Sequence, residues 1–204
     1  MKFSLLKVDN PQKLKSLSRN KINFFKKEEE ITLFHFNMFD NDLYHAVFSI
    51  NDEYQVSTKK LGNQHNFVYA SLVNFFFLLN KEFAFLEFVN NEYQDEIINE
   101  IERKTKISVK QQPLDNVSFL KLVGKLNGDI KKIHYSNDDG ELFDLDYTSY
   151  EKFTQIADVN TIDDCTISVE DQFITISNNG LISVDNSDEK FLVGFTKRIL
   201  YAIS

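Results

Sequence analysis

Two carboxylates two residues apart, Asp144 and Asp146 in Phe143-Asp144-Leu145-Asp146-Tyr147-Thr148, are the side chains of this sequence best spaced for chemistry. On an extended strand, alternate residues face the same side. Such a pair is a candidate for metal-dependent phosphoester chemistry. Asp163 and Asp164 supply a second acidic pair, and Lys152 a cation. His35 and His45 become cross-strand neighbours if a hairpin turns around Asp40, and two imidazoles about 5 Å apart can share a metal. No third ligand accompanies them. His65 falls in a loop and His134 on a strand, neither with a nucleophile at recognisable spacing. Cys165 is the single cysteine, so no intrachain disulfide forms, and its place on an apolar sheet face makes it a small hydrophobe. The sequence has no Gly-rich phosphate loop, Cys-x-x-Cys, His-Glu-x-x-His or Gly-x-Ser-x-Gly, and no cofactor or metal is expected.

The hexapeptide Phe143 to Thr148 resembles the first motif of the haloacid-dehalogenase-like phosphotransferases. That resemblance implies Asp144 as nucleophile and Asp146 as general acid/base, with Asp163-Asp164 as the later acidic pair and Lys152 as the family's lysine. It covers six residues, and their setting differs from the family's. The motif should end a buried apolar strand, whereas Asp138-Asp139-Gly140-Glu141 precedes it here. The 56 residues after Thr148 read as helix, meander and helix, not as strand–helix repeats. Thr148, with Glu151 three positions later, instead makes a capping box for a helix from Ser149 to Ala157. A calcium loop with Gly140 at its sixth position would begin on Tyr135, where a carboxylate is required.

Charge is distributed unevenly. The formal net charge of −8 argues against general binding to nucleic acid or anionic membranes. Residues 1–27 carry +7, and the remaining 177 carry −15. Ser136 to Gln172 is the extreme, with eleven acidic side chains against Lys152 alone. Such asymmetry suits a solvated face with an arm docked on it, an acidic surface for a basic partner, or a basic arm touching phosphate. No apolar run reaches the roughly 18 residues of a membrane span. Met1 to Val8 lacks the apolar stretch of a secretory signal, so a cytoplasmic location is expected, with no membrane partner.

The elements that must carry these residues are α+β. A short strand (Met1 to Asp9) and a helix opened by Pro11 form, with Arg19 to Lys27, a basic N-terminal arm over 1–27. An antiparallel meander follows, with strands at Ile31 to Phe36, Leu43 to Ile50, Tyr54 to Lys59 and Phe67 to Leu79, punctuated by Asp/Asn turns. A split βαβ, ferredoxin-like unit is expected from Phe83 to Lys110, around an amphipathic helix bearing Ile97, Ile98 and Ile101. A helix from Asn116 to Leu126, capped by Asp115, carries Phe119, Leu120, Val123 and Leu126. The region 136–204 ends in a three-stranded meander. Its register sets Ile167 opposite Ile174, Cys165 opposite Ile176, and Ile176 opposite Ile182. A terminal helix, Ser187 to Ile203, covers that meander. The regions 28–135 and 136–204 are expected to pack as one unit.

These observations favour a non-enzymatic acidic interaction protein that takes a basic protein partner, such as an inhibitor, immunity or antitoxin-like factor. Asp138, Asp139, Glu141, Asp144, Asp146, Asp163 and Asp164 are its expected contact residues. The order of helices, strands and acidic Gly turn between Asn91 and Ile203 resembles bacterial immunity-protein domains, although no diagnostic motif matches. The alternatives are a metal-dependent phosphoesterase or nuclease built on 138–146, and a nucleic-acid-associated protein tethered by the basic arm.

Overall fold

The computed structural model describes residues 1–18, 31–39, 42–57, 59–60 and 64–203. Arg19, Lys21, Lys26 and Lys27 of the basic arm, and Asp40 and Asn41 of the first turn, lie outside them.

In chain order the elements are β1 (Lys2–Val8), a 3₁₀ helix (Pro11–Ser18), β2 (Ile31–Phe39), β3 (Leu43–Ser57), β4 (Gln64–Leu78), β5 (Phe83–Glu87), α1 (Asn91–Thr105) and β6 (Val109–Gln111). There follow α2 (Asn116–Leu126), β7 (Asp129–Ser136), β8 (Leu142–Thr148), α3 (Tyr150–Ala157), β9 (Thr161–Val169), β10 (Gln172–Ser177), β11 (Leu181–Val184) and α4 (Glu189–Ile203). The protein is mixed α+β, and among the described residues all strands join one sheet in the order β2-β3-β4-β5-β1-β11-β10-β9-β7-β8, with β6 also on β1. Every pairing is antiparallel.

The N-terminal segment supplies the centre of this sheet. β1 pairs with β5 along one side, and with β11 and then β6 along the other. A strand buried on both faces needs an apolar run rather than an alternation. Phe3 and Leu5 enter one core, and Leu6 and Val8 the other. Because β5 and β6 both run antiparallel to β1 on its opposite sides, they are parallel to each other. The unit β5-α1-β6 is thus a βαβ split by β1, as the change of hydrophobic period at Asn91 predicts.

Two cores follow. On one face, α1 and the 3₁₀ helix cover β1 to β5, with Leu14, Leu17, Tyr93, Ile97 and Ile101 packed against Phe48, Phe75 and Phe77. On the other face, α2, α3 and α4 cover β7, β9, β10 and β11 and reach across to Phe76 and Phe85. Asn90 and Asp115 cap α1 and α2 by accepting from the amides of Tyr93 and Ser118. The C-terminal meander has the expected register, with Ile174 opposite Ile167 and Val184, and Ile176 opposite Cys165 and Ile182.

Three local readings are corrected. The separate strands expected at Leu43 to Ile50 and Tyr54 to Lys59 are one strand, β3, which ends at Ser57, because Asn51 and Asp52 stay in the ladder opposite Ala70 and Tyr69. Hydrogen bonds from Tyr93 and Tyr69 hydroxyls to the Asp52 carboxylate satisfy a residue that otherwise favours turns. The cap of α3 is Ser149, whose hydroxyl accepts from the Lys152 amide, and not Thr148. Leu122, not Leu120, completes the fully buried stripe of α2, while Leu120 is only partly buried.

Candidate functional site

The acidic residues gather at the β8 end of the sheet, on a hairpin that its own side chains hold in shape. The turn between β7 and β8 runs from Asn137 to Glu141. The Glu141 amide donates to Asn137 Oδ1 at 2.9 Å, and Asn137 Nδ2 donates to Glu141 Oε2 at 2.9 Å. Gly140 takes a left-handed φ of +80°, which most other residues adopt only under strain. Asp138, Asp139 and Glu141 are consequently presented on an ordered tip, all exposed.

Beyond the tip, register decides which side chains meet. On β7 the inward residues are Ile130 and Ile133, and a bulge at Lys131 restores the alternation so that Lys132 and His134 look outward. His134 lies opposite Asp144 of β8 on one side and Asp164 of β9 on the other. The three form a row across the sheet, on the face away from α2, α3 and α4. His134 Nδ1 contacts Asp164 at 2.8 Å and 3.0 Å, and Lys132 Nζ lies 3.7 Å from Asp144. Asp146 is exposed opposite Lys132. Thr166 and Thr175 share a hydroxyl contact of 2.9 Å nearby. This face is a polar platform with no helix over it among the described residues.

Six of the seven expected contact residues therefore share one region: five on the β7–β8 hairpin, and Asp164 in the row through His134. Asp163 stands apart. It occupies a second irregularity, between β9 and β7, and accepts from Asn178 Nδ2 at 3.1 Å. His134 and Lys132 join the site although motif reading passes over them. Their signal is the period-two polar positions of β7, which become meaningful only once its partners are known.

The arrangement spreads charge and does not focus it. Asp144 and Asp164 are separated by two strand spacings, about 10 Å. Among the described residues no three His, Cys, Asp or Glu side chains are grouped to hold a metal ion. Lys152 belongs to α3, which packs on the opposite face from Asp144 and Asp146. Burial, with help from the neighbouring Asp164, pushes the Cys165 thiol up to about 12, so it stays protonated and unreactive at neutral pH. His35 and His45 are diagonal neighbours with ring centroids 5.9 Å apart. His45 stacks on Phe76 at 4.4 Å and contacts Asn74 Oδ1 at 2.8 Å.

Three of the four basic side chains in the described part of the arm are engaged within the molecule. Lys2 lies over the Phe88 ring at 5.1 Å, Lys15 over Tyr44 at 5.6 Å, and Lys7 is 3.5 Å from Glu82. Among the described residues no helix is long and apolar enough to cross a membrane.

The chain matches no protein-family model and no curated protein sequence.

Proposed function

We propose that this chain is a binding protein that receives a basic protein partner on the β7–β8 edge, as an inhibitor, immunity or antitoxin-like factor would. The observation that carries the reading is the union of two features on one strand. β8 closes the sheet, so its outer row of backbone N–H and C=O groups is left without a strand partner among the described residues. It also carries Asp144 and Asp146, beside the fixed tip of Asp138, Asp139 and Glu141. An extended basic segment can add to such an edge as a further strand, main-chain bonds giving affinity and alternate Lys or Arg side chains meeting the carboxylates. The acidic field accelerates the encounter and rejects acidic competitors.

Chemistry at the same residues has less support. A metal-dependent phosphoesterase needs carboxylates converging on one ion. Here they lie along an exposed edge and across a flat face.

The test replaces Asp138, Asp139, Asp144 and Asp146 by Asn and Glu141 by Gln, leaving the fold's cores untouched. Both proteins are immobilised and challenged with extract of the source organism at low and high salt. The reading expects basic proteins held by the parent chain, released by salt and lost from the neutralised variant. Equal retention by the variant, or no basic protein on either, refutes it.

A further inference from the structure

A cavity of about 220 Å³ opens on the helical side of the molecule, between α4, the end of α2 and the β9–β10 hairpin. Its walls are Leu126, Val169, Ile174 and the stacked rings of Phe191 and Phe195, whose centroids are 5.9 Å apart. The mouth is charged. Arg198 Nη1 donates to Glu170 Oε1 at 2.8 Å, Nη2 reaches the Leu126 carbonyl at 3.4 Å, and Lys190 stands on the rim. A second, polar hollow of about 400 Å³ shares Leu126, Val169, Glu170 and Arg198 with the first and adds Lys125 and Asn127. Arg198 thus sits where an apolar chamber meets a wet one.

Gly194 is the informative residue. It lies in the middle of α4, where glycine is unfavourable relative to alanine. A Cβ built on it meets nothing within 4 Å, so close packing does not account for the glycine. Its bare backbone instead forms part of the chamber's wall and enlarges the space. The Arg198–Glu170 pair is also easily exchanged, because the two side chains are 43% and 74% exposed and such pairs hold weakly.

We propose that this chamber binds a small amphipathic carboxylate, an acyl or aryl acid of about eight carbons, since the space equals roughly seven water volumes. The apolar body lies against Gly194 and Phe195, and the carboxylate replaces Glu170 on Arg198, where a charge-assisted, bidentate bond is available. The site is separate from the acidic edge, and neither reading depends on the other.

Octanoate is the probe, titrated below its micelle concentration into ¹⁵N-labelled protein, with 1-octanol as the uncharged control. Saturable amide shifts confined to Leu126, Glu170, Gly194, Phe195 and Arg198 are expected. Gly194→Leu, which fills the chamber, should abolish them. Arg198→Met should weaken octanoate by about tenfold or more while leaving octanol unchanged. Absence of saturation, shifts spread over other surfaces, or undiminished binding to a folded Gly194→Leu overturns the proposal. Equal loss of octanol and octanoate in Arg198→Met overturns its carboxylate assignment. Should Gly194→Leu fail to fold, the wild-type map and Arg198→Met decide.

Discussion

The two halves of the sheet are built alike and finished differently. Each has one face under helices and the other largely open, apart from the reach of α4 over Phe76 and Phe85, but the covering helices lie on opposite sides: α1 and the 3₁₀ helix on one, α2, α3 and α4 on the other. The bare side of the first half is aromatic and nearly uncharged, with His35, His45, Val47 and Leu72. Beyond it, β3 and β4 continue as a two-stranded ribbon exposing Tyr54, Phe67 and Val68. The bare side of the second half carries Lys132, His134, Asp144, Asp164 and Thr166. The edges differ in the same way. β2 has no Asp, Glu, Lys or Arg and is interrupted by a bulge at Phe34, whereas β8 has two aspartates and a left-handed Tyr147. A bulge and a charged strand are both means of discouraging edge-to-edge pairing. Only the second can also select a partner by charge, and the proposed binding site is placed there for that reason.

The strongest challenge to this contrast is that the halves are separate domains that merely touch. Phe3 on β1 is fully buried and packs edge-on against Phe76 and Phe85. Phe3→Ala should cost about 3–5 kcal/mol. Because β1 serves both halves, urea unfolding followed by circular dichroism and by amide exchange in β3 and β10 should still give one shared transition at lower urea. Two resolved transitions would break the comparison.

Next in size is the edge itself. Asp144→Val with Asp146→Val removes the charges from β8, and the variant should form dimers through β8 at tens of micromolar, seen by sedimentation velocity. Adding Phe34→Val on the β2 edge should change nothing, because its bulge remains. A monomeric β8 variant would mean that something other than charge protects that edge.

A smaller effect concerns the ribbon of the first half. The Tyr93 hydroxyl donates to Asp52 at 2.5 Å and contacts Tyr69 at 3.0 Å, tying the ribbon to α1. The bond from Tyr93 holds the Asp52 carboxyl below its ordinary range, and the same bond raises the Tyr93 phenol. Tyr93→Phe should lower the thermal midpoint by about 2–4 °C at pH 7. The folded-state value for Asp52 is the depressed one. Its contribution is therefore complete above the unfolded value near 3.8 and disappears as pH falls through the folded value. The penalty of Tyr93→Phe should vanish in strong acid, and a midpoint difference independent of pH would contradict this.

Smallest is the tie between the halves at the surface. Asp42, before β3, meets Lys197 at 2.7 Å and accepts from the Tyr201 hydroxyl at 2.6 Å, both from α4. Partial burial pushes the Asp42 carboxyl up, but the bonds from Lys197 and Tyr201 outweigh it and hold the group below its ordinary value. A double-mutant cycle with Asp42→Asn and Lys197→Met should give a coupling of about 0.5–1 kcal/mol at pH 7. It should fade below pH 4, for the same reason as at Asp52.

What could be read from the sequence follows the same division. The C-terminal meander was legible to the residue because Ile167, Ile174, Ile176, Ile182 and Val184 alternate strictly, and a one-residue slip would expose them. The split βαβ was visible in the change of period at Asn91. The continuity of β3 was not, since Asn51 and Asp52 are turn formers locally, and the hydroxyls that bond the Asp52 carboxylate come from Tyr69 and Tyr93. Nor was the central place of β1, whose partners lie near residues 85, 110 and 182. Asp138, Asp139, Glu141, Asp144 and Asp146 stood out by charge. His134 did not, because its row with Asp144 and Asp164 depends on two register shifts, at Lys131 and Asp163, that local pattern does not specify.

The central claim is that the β7–β8 carboxylates recognise a basic protein. The most direct test is affinity capture on the parent chain and on the variant neutralised at Asp138, Asp139, Glu141, Asp144 and Asp146, followed by binding rates for the captured protein. The account predicts a basic protein whose association with the parent slows steeply with salt, and whose affinity for the variant falls about a hundredfold. A captured protein that binds both chains at the same rate, whatever the salt, would contradict it.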